Sequence, residues 1–261
     1  LVIDKSELYR LKDDVPLVVP EVNADEIAHH RNLIATPNCT TIPLVVVLAP
    51  LGRSYGLRRV VVSSYQSASG AGRDALEEYY YETEFVALRR AVEVPKDSPF
   101  PVQLANNVIP QIGGFNRDGY SAEEMKTIAE TRRILGLPEL PITSTCVRVP
   151  VAVGHALAVL VEFDTVVAPK QVRDTLARAP GVKLFEGHCY PTPVEAVGTN
   201  DVLVGRIRKD TSSETGLHLW VVCDNLRKGA ALNAVQIAEL ALGTSRATEA
   251  PAQPRLNSQS G

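Results

Sequence analysis

Several specialised classes of protein are excluded by what the chain does not contain. It has no run of basic residues and a formal net charge of −3, so nothing directs it to nucleic acid or to an anionic membrane surface. Its longest apolar stretch, Ile42 to Leu51, is broken by Pro43 and Pro50 and is too short to cross a bilayer. No stretch has the pattern of a secretory signal. The four cysteines, Cys39, Cys146, Cys189 and Cys223, are scattered with no C-x-x-C pair. That argues against a disulfide framework and suits a reducing cytoplasm. The five histidines form no ligand cluster with them: His29-His30 and His188-Cys189 are sequence neighbours, which rarely chelate one ion together, so no metal site is expected. The glycine fingerprint G-x-G-x-x-G of dinucleotide folds occurs nowhere.

What is present is the composition of an ordinary globular protein. The chain has 261 residues, 45% apolar and 22% charged, enough for one large domain or two moderate ones. Leu1-Val2-Ile3-Asp4 reads like the middle of a buried strand, an edge that is hazardous to expose. The chain is therefore expected to be a fragment lacking an N-terminal part. Residues 244–261 are rich in Pro, Ser and Gln with one large aliphatic residue, Leu256, and are expected to form a disordered tail.

The stretch that organises the rest is Ala35-Thr36-Pro37-Asn38-Cys39-Thr40-Thr41, followed by Ile42-Pro43-Leu44-Val45-Val46-Val47-Leu48. Pro37 disfavours helix at Thr36. Pro43 is tolerated only in a first turn, so a helix starts with Thr40 or Thr41 as N-cap. Cys39 then lies among backbone N–H groups that lack intrahelical partners, which is expected to lower its thiol pKa. Taken alone, a free cysteine is more often a small buried hydrophobe.

Short strands are expected at 1–4, 17–23 and 33–35, with a short helix opening at Asn23. A β-branched strand at 57–64 leads through the small-residue turn Tyr65–Gly72 to a helix from Arg73 to Arg90. Residues 95–119 read as a long irregular connection, a length that usually has a function. Ser121 and Glu124 form a capping box for a helix ending near Leu135. Strands at 142–153 and 155–163, a helix at 170–179, strands at 202–207 and 217–223, and a heavily buried helix at 229–242 complete the pattern. Such alternation predicts a parallel sheet, with catalytic groups at the C-terminal ends of its strands. Glu123 and Lys126 share a helix face, by default as a solvated ion pair. Arg148 and His155 would face opposite sides of one continuous strand, unless Gly154 marks a bend.

Taken in order, the segments resemble aspartate-β-semialdehyde dehydrogenase. The matching residues are Val2-Ile3-Asp4 with Arg10, Val18-Val19-Pro20-Glu21-Val22-Asn23, Pro37-Asn38-Cys39-Thr40-Thr41, Tyr65-Gln66 with Ser69-Gly70-Ala71-Gly72, and Glu123-Glu124-Met125-Lys126. Arg148-Val149-Pro150-Val151 with His155, Val204-Gly205-Arg206-Ile207-Arg208 and Asp224-Asn225-Leu226-Arg227-Lys228-Gly229-Ala230-Ala231-Leu232-Asn233 follow. The resemblance implies an α/β fold in two parts. Residues 1–38 and 224–243 would form an incomplete Rossmann-like nucleotide-binding domain with a parallel sheet. Residues 39–223 would form an α+β catalytic and dimerisation domain with a mixed sheet. The family's Gly-rich NADP-binding start has no counterpart here.

The resemblance also implies a role for each matched position. Cys39 would be the nucleophile that becomes a thioester, His155 the general acid/base, and Gln66 the group orienting substrate at the sulfur. Arg148 would hold the substrate α-carboxylate and Glu123 its ammonium. Arg10, Asn38 and Lys126 would bind phosphate; Ser69, Gly70, Gly72 and Asn225 would touch the cofactor NADP. The implied reaction is reductive dephosphorylation of L-aspartyl-4-phosphate, in biosynthesis of lysine, threonine, methionine and isoleucine. A homodimer or dimer of dimers is implied, with a small-molecule substrate. The residue types suit that chemistry: a planar guanidinium for a carboxylate, a carboxylate for an ammonium, fixed cations and an amide for a phosphate. Two alternatives stay open. One is the related reductase of N-acetyl-glutamyl phosphate, whose substrate has no free ammonium for Glu123. The other is a truncated paralogue that folds and turns nothing over.

Overall fold

The computed structural model describes residues 1–243; the expected tail, 244–261, lies outside the described residues. Among the described residues, eight strands form two sheets. The smaller is a parallel pair, β1 (Val2–Asp4) and β2 (Leu33–Ala35). The larger contains β3 (Arg59–Gln66), β4 (Ile142–Arg148), β5 (His155–Glu162), β6 (Val182–Leu184), β7 (Val202–Lys209) and β8 (Gly216–Cys223), in the order β4-β3-β5-β8-β7-β6. It is mixed: β3–β4 and β6–β7 are parallel, while β3–β5, β5–β8 and β7–β8 are antiparallel. The helices are α1 (Pro20–Asn23), α2 (Thr41–Tyr55), α3 (Arg73–Ala87), α4 (Ala122–Leu135), α5 (Pro169–Leu176), α6 (Pro193–Ala196) and α7 (Leu232–Ala241). The expected α/β architecture with a mixed sheet is what forms.

β3 shows how the large sheet was legible. Val60, Val62, Ser64 and Gln66 alternate inward and are buried, the period-two signature of a sheet with one covered face. That face is covered by α2, α4 and α5. α2 is apolar on every side and buried almost throughout, as a helix between two layers must be. Leu44, Leu48 and Leu51 are each fully buried in it, a burial that contributes about 1.5–3 kcal/mol per side chain. Gly56 ends α2 at φ +71°, its N–H returning to the Gly52 carbonyl.

Four expectations need correction. Residues 17–23 are not a strand: only Leu17 bridges Ala35, and Pro20 opens α1, because proline at a first helical position costs no hydrogen bond. The strand expected to run to Val153 ends at Arg148, and 149–154 is irregular with Gly154 at φ +100°. Thr40 precedes α2 but makes no side-chain cap; its N–H is taken instead by Asn38 Oδ1 at 2.7 Å. The last helix is buried on one face only. Asn233 and Ile237 are covered, whereas Val235 and Leu242 are exposed, because α7 lies over the small sheet with Val18, Ile27 and Ile34 on one side of it.

Candidate active site

The topology of the large sheet brings distant residues to one edge. β3 and β4 run in parallel and both end there, with Gln66 and Arg148 as register partners. β5 is antiparallel to β3, so it begins there, at His155. β8 ends there, Cys223 opposite His155, and leads into Asp224-Asn225. Arg148 and His155 therefore sit on different strands, with β3 between them, and the expected conflict of faces does not arise.

At this edge Cys39 Sγ lies 3.3 Å from His155 Nε2. Ser67 holds the ring from behind: its backbone N–H and its hydroxyl each lie 3.1 Å from Nδ1. The Ser67 carbonyl accepts a 2.7 Å bond from Arg148 Nη1. One residue thus fixes both the imidazole and the guanidinium. Gly70 makes room for them: a Cβ there would come within 2.8 Å of Arg148 Nη1 and 2.9 Å of His155 Nε2. Gly229, in the π-type turn Arg227–Ala231, packs against Cys39, where a Cβ would meet the Cys39 Cβ at 3.2 Å.

Glu123, on α4, gathers two of the other expected residues. Its Oε1 accepts the side-chain amides of Asn38 and Gln66, each at 2.9 Å. The expected phosphate-binding side continues from Asn38. Glu130 Oε2 accepts the Asn38 N–H at 2.7 Å, and its Oε1 pairs with Arg10 Nη1 at 3.1 Å. Arg10 also donates to the carbonyls of Thr36 and Lys5. Lys126 pairs with Glu7.

The expected cofactor residues divide. Ser69 and Asn225 are buried and bonded to each other, Asn225 Nδ2 donating to Ser69 Oγ at 3.0 Å. Asn225 Oδ1 also accepts the N–H of Gly154 at 2.8 Å, which ties it to the residue before His155. Gly72, at φ +103°, is different: a Cβ there would meet nothing within 4 Å, so its backbone borders open space that a ligand can enter.

The electrostatics correct the expected thiolate. Burial pushes the Cys39 thiol up to about 12; Glu123 adds to this, while Arg148 and Arg10 oppose it. Desolvation of a charged sulfur is the largest of these influences. Burial, then Arg148, holds His155 down to about 3. At neutral pH the pair rests as thiol and neutral imidazole. Cys39 as a residue keeps partial exposure, while the ring behind it is 1% exposed. Burial also raises the Glu130 carboxyl against the pull of Arg10.

Three contributors were not singled out from the sequence. Glu130 had a signal: with Glu123 and Lys126 it falls at spacings of three and four on one face of α4. Gly229 stands among small residues at a helix entrance. Ser67 had none, since it acts largely through backbone atoms that every residue carries.

A family model described as semialdehyde dehydrogenase, dimerisation domain, matches residues 48–228. Aspartate-semialdehyde dehydrogenase of Bacillus subtilis is 46% identical over 248 residues, covering 92% of this chain and 71% of that protein. The chain belongs to the aspartate-semialdehyde dehydrogenase family. These relatives are oxidoreductases, and the likeness extends to structure. The crystal structure of aspartate semialdehyde dehydrogenase II from Vibrio cholerae, complexed with ASA, superposes with a TM-score of 0.90 at 46% identity, covering 93% of this chain and 72% of that one. The Candida albicans enzyme with NADP is 23% identical, with a TM-score of 0.70 over 92% of this chain and 70% of its own; it shares the fold. No helix among the described residues is long and apolar enough to cross a membrane.

Proposed function

We propose that this chain carries the catalytic residues for NADP-dependent reductive dephosphorylation of L-aspartyl-4-phosphate to L-aspartate-4-semialdehyde, in biosynthesis of the aspartate-family amino acids. The observation that carries the reading is Cys39 Sγ at 3.3 Å from His155 Nε2, within one buried network that includes Arg148, Gln66, Glu123 and Asn38. Arg148 takes the substrate carboxylate, since its planar fork suits two parallel bonds. Glu123 takes the ammonium and already orients the amides of Gln66 and Asn38. Arg10, Lys126 and Asn38 receive the phosphate. Attack by the Cys39 sulfur on the acyl carbon expels phosphate and leaves a thioester on Cys39, splitting one difficult step into two. His155 is the hydrogen-bond partner of the sulfur in both. The chemistry NADPH supplies when bound is the hydride. The open border at Gly72 fits its approach, with Gly70 beside it, while Ser69 and Asn225 shape the wall.

The same reading assigns residues 1–38 and 224–243 to a nucleotide-binding part, 39–223 to a catalytic and dimerisation part, and the protein to the cytoplasm as a homodimer or dimer of dimers. The name of the matching family model supports dimerisation. So does the outer face of the large sheet, where the rings of Tyr65 and Trp220 pack tilted at 5.5 Å and Tyr65 is exposed. The test is phosphate-dependent reduction of NADP with aspartate semialdehyde. Cys39→Ser keeps substrate binding and loses nearly all rate. Turnover that survives Cys39→Ala would remove the proposed nucleophile.

A further inference from the structure

Lys228 is fully buried, and no step of the reaction proposed above uses it. Its ammonium directs three protons at three acceptors: Glu21 Oε2 at 2.6 Å, Gln236 Oε1 at 2.8 Å and Asn233 Oδ1 at 3.2 Å. Gln236 Nε2 closes the ring by donating to Glu21 Oε1 at 3.0 Å. Burial pulls the Lys228 ammonium below its ordinary range, against the opposing influence of Glu21. A buried ion pair is a poor source of stability, so what this one secures is geometry. Two arms lead from it to the segment that carries the nucleophile. In the first, Asn233, itself buried, gives its two amide protons to the Val18 carbonyl at 3.0 Å and to Thr36 Oγ1 at 2.6 Å. Thr36 is separated from Cys39 only by Pro37 and Asn38. In the second, Lys228 leads directly into Gly229, where a Cβ would meet the Cys39 Cβ at 3.2 Å and the Cys39 carbonyl oxygen at 3.3 Å. One arm holds the segment where it enters, and the other holds it at the cysteine.

We propose that Lys228 is a positioning residue for Cys39, acting through Asn233 on Thr36 and through Gly229 on the cysteine itself. Its charge is met by Glu21, whereas the charges that bear most on the sulfur belong to Glu123, Arg148 and Arg10. Lys228 therefore acts by placement. The clamp joins the two ends of the described chain: Glu21 is on α1, while Lys228, Asn233 and Gln236 follow β8. Releasing it frees residues 36–39 to move outward, and the sulfur then loses part of the desolvation that keeps it a thiol. The change is confined to that segment. The large sheet stays in register, and Cys146, buried in β4, stays covered. The proposal rests on the reading of Cys39 as the nucleophile, and its measurement needs no turnover.

Alkylation of the whole chain by iodoacetamide at one mildly alkaline pH, resolved by peptide mass spectrometry, tests this. Lys228→Met/Glu21→Gln removes the charge pair without leaving either charge buried alone. It should raise the rate at Cys39 about tenfold, as expected for a thiol whose pKa has fallen by about one, with Cys146 as slow as in the parent. If that double variant does not fold, Thr36→Val removes only the hydroxyl that Asn233 reaches, in a side chain of nearly the same shape. It should raise the Cys39 rate in the same direction, and Thr36→Ser, which keeps the hydroxyl, should restore it. An unchanged or lower rate at Cys39 in either folded variant, or a rate that stays high in Thr36→Ser, would overturn the proposal. Cys39 and Cys146 rising together would mark a general loss of stability and overturn it as well. If the clamp is found in a protein whose Cys39→Ala variant still reduces NADP with aspartate semialdehyde, the reading of Cys39 as the nucleophile fails and the positioning stands.

Discussion

Around the sulfur, Gln66, Arg148 and His155 are 1%, 5% and 1% exposed and are locked by Ser67, Glu123 and the ends of four strands. Around the expected phosphate end, the side chains of Arg10 and Lys126 are 11% and 30% exposed, and each rests against a carboxylate, Glu130 and Glu7. The first cluster is positioned by buried hydrogen bonds with few other geometries available. The second is positioned by charge, and one of its carboxylates, Glu7, is 66% exposed on a loop. An ion pair that open contributes little, so on the proposed reading an incoming phosphate would take the place of Glu7 on Lys126. The half to which the chemistry is assigned is built in advance, while the half proposed to admit the anion is exchangeable.

Substitutions can break or sharpen that contrast. Cys39→Ala should cost at least about 10⁴-fold in kcat, because the residues that act with a nucleophile do not replace it. Gly70→Ala should cost on the order of 10²-fold in kcat with little change in the phosphate KM, since its methyl would displace Arg148 and His155 from a preset geometry; steady-state kinetics decide. A normal kcat would show that the sulfur side is softer than its burial implies. Glu123→Gln preserves shape and removes charge. It should raise the substrate KM by roughly 10- to 100-fold, the size of a charged hydrogen bond; a loss confined to kcat would instead assign Glu123 to orienting Gln66.

The buried ring also predicts a pH dependence. His155 titrates near 3 when folded, against an ordinary value of 6.5, so between these values the unfolded state binds more protons than the folded state. Stability should therefore fall as pH drops from about 6.5 toward 3, by on the order of 1 kcal/mol per pH unit at most from this group. Urea unfolding across that range should show a shallower slope in His155→Gln. The smallest effect belongs to the other cluster. Glu7→Gln should lower the KM for phosphate about two- to fivefold in assays at low salt and vanish at high salt. Stability should change by no more than about 0.5 kcal/mol.

The contrast also explains what could be read from the sequence. Cys39, Gln66, Glu123, Arg148 and His155 were legible because each needs a particular side chain at a particular place in an ordered series of segments. The strands of the large sheet were legible because Val60, Val62 and Ser64 alternate, and α2 because Pro43 is tolerated only in a first helical turn. The thiol was misread in direction: a helix start is a local signal, whereas the burial that raises it is assembled from β5, α4 and the turn at Gly229. Residues 17–23 were misread because Val18, Val19 and Val22 have strand character and the helical role of Pro20 depends on its position. Ser67 left no trace, since the groups that matter most are its N–H and its carbonyl.

The antiparallel course of β5 and β8 has a consequence for how the molecule matures. Residue 155 cannot reach residue 39 until a strand starting more than a hundred positions later has folded back along its neighbours, and Gly229, which packs against the Cys39 backbone and Cβ, comes later still. The proposed nucleophile therefore meets its imidazole only after β5 has paired with β3, so the centre exists as a whole or not at all.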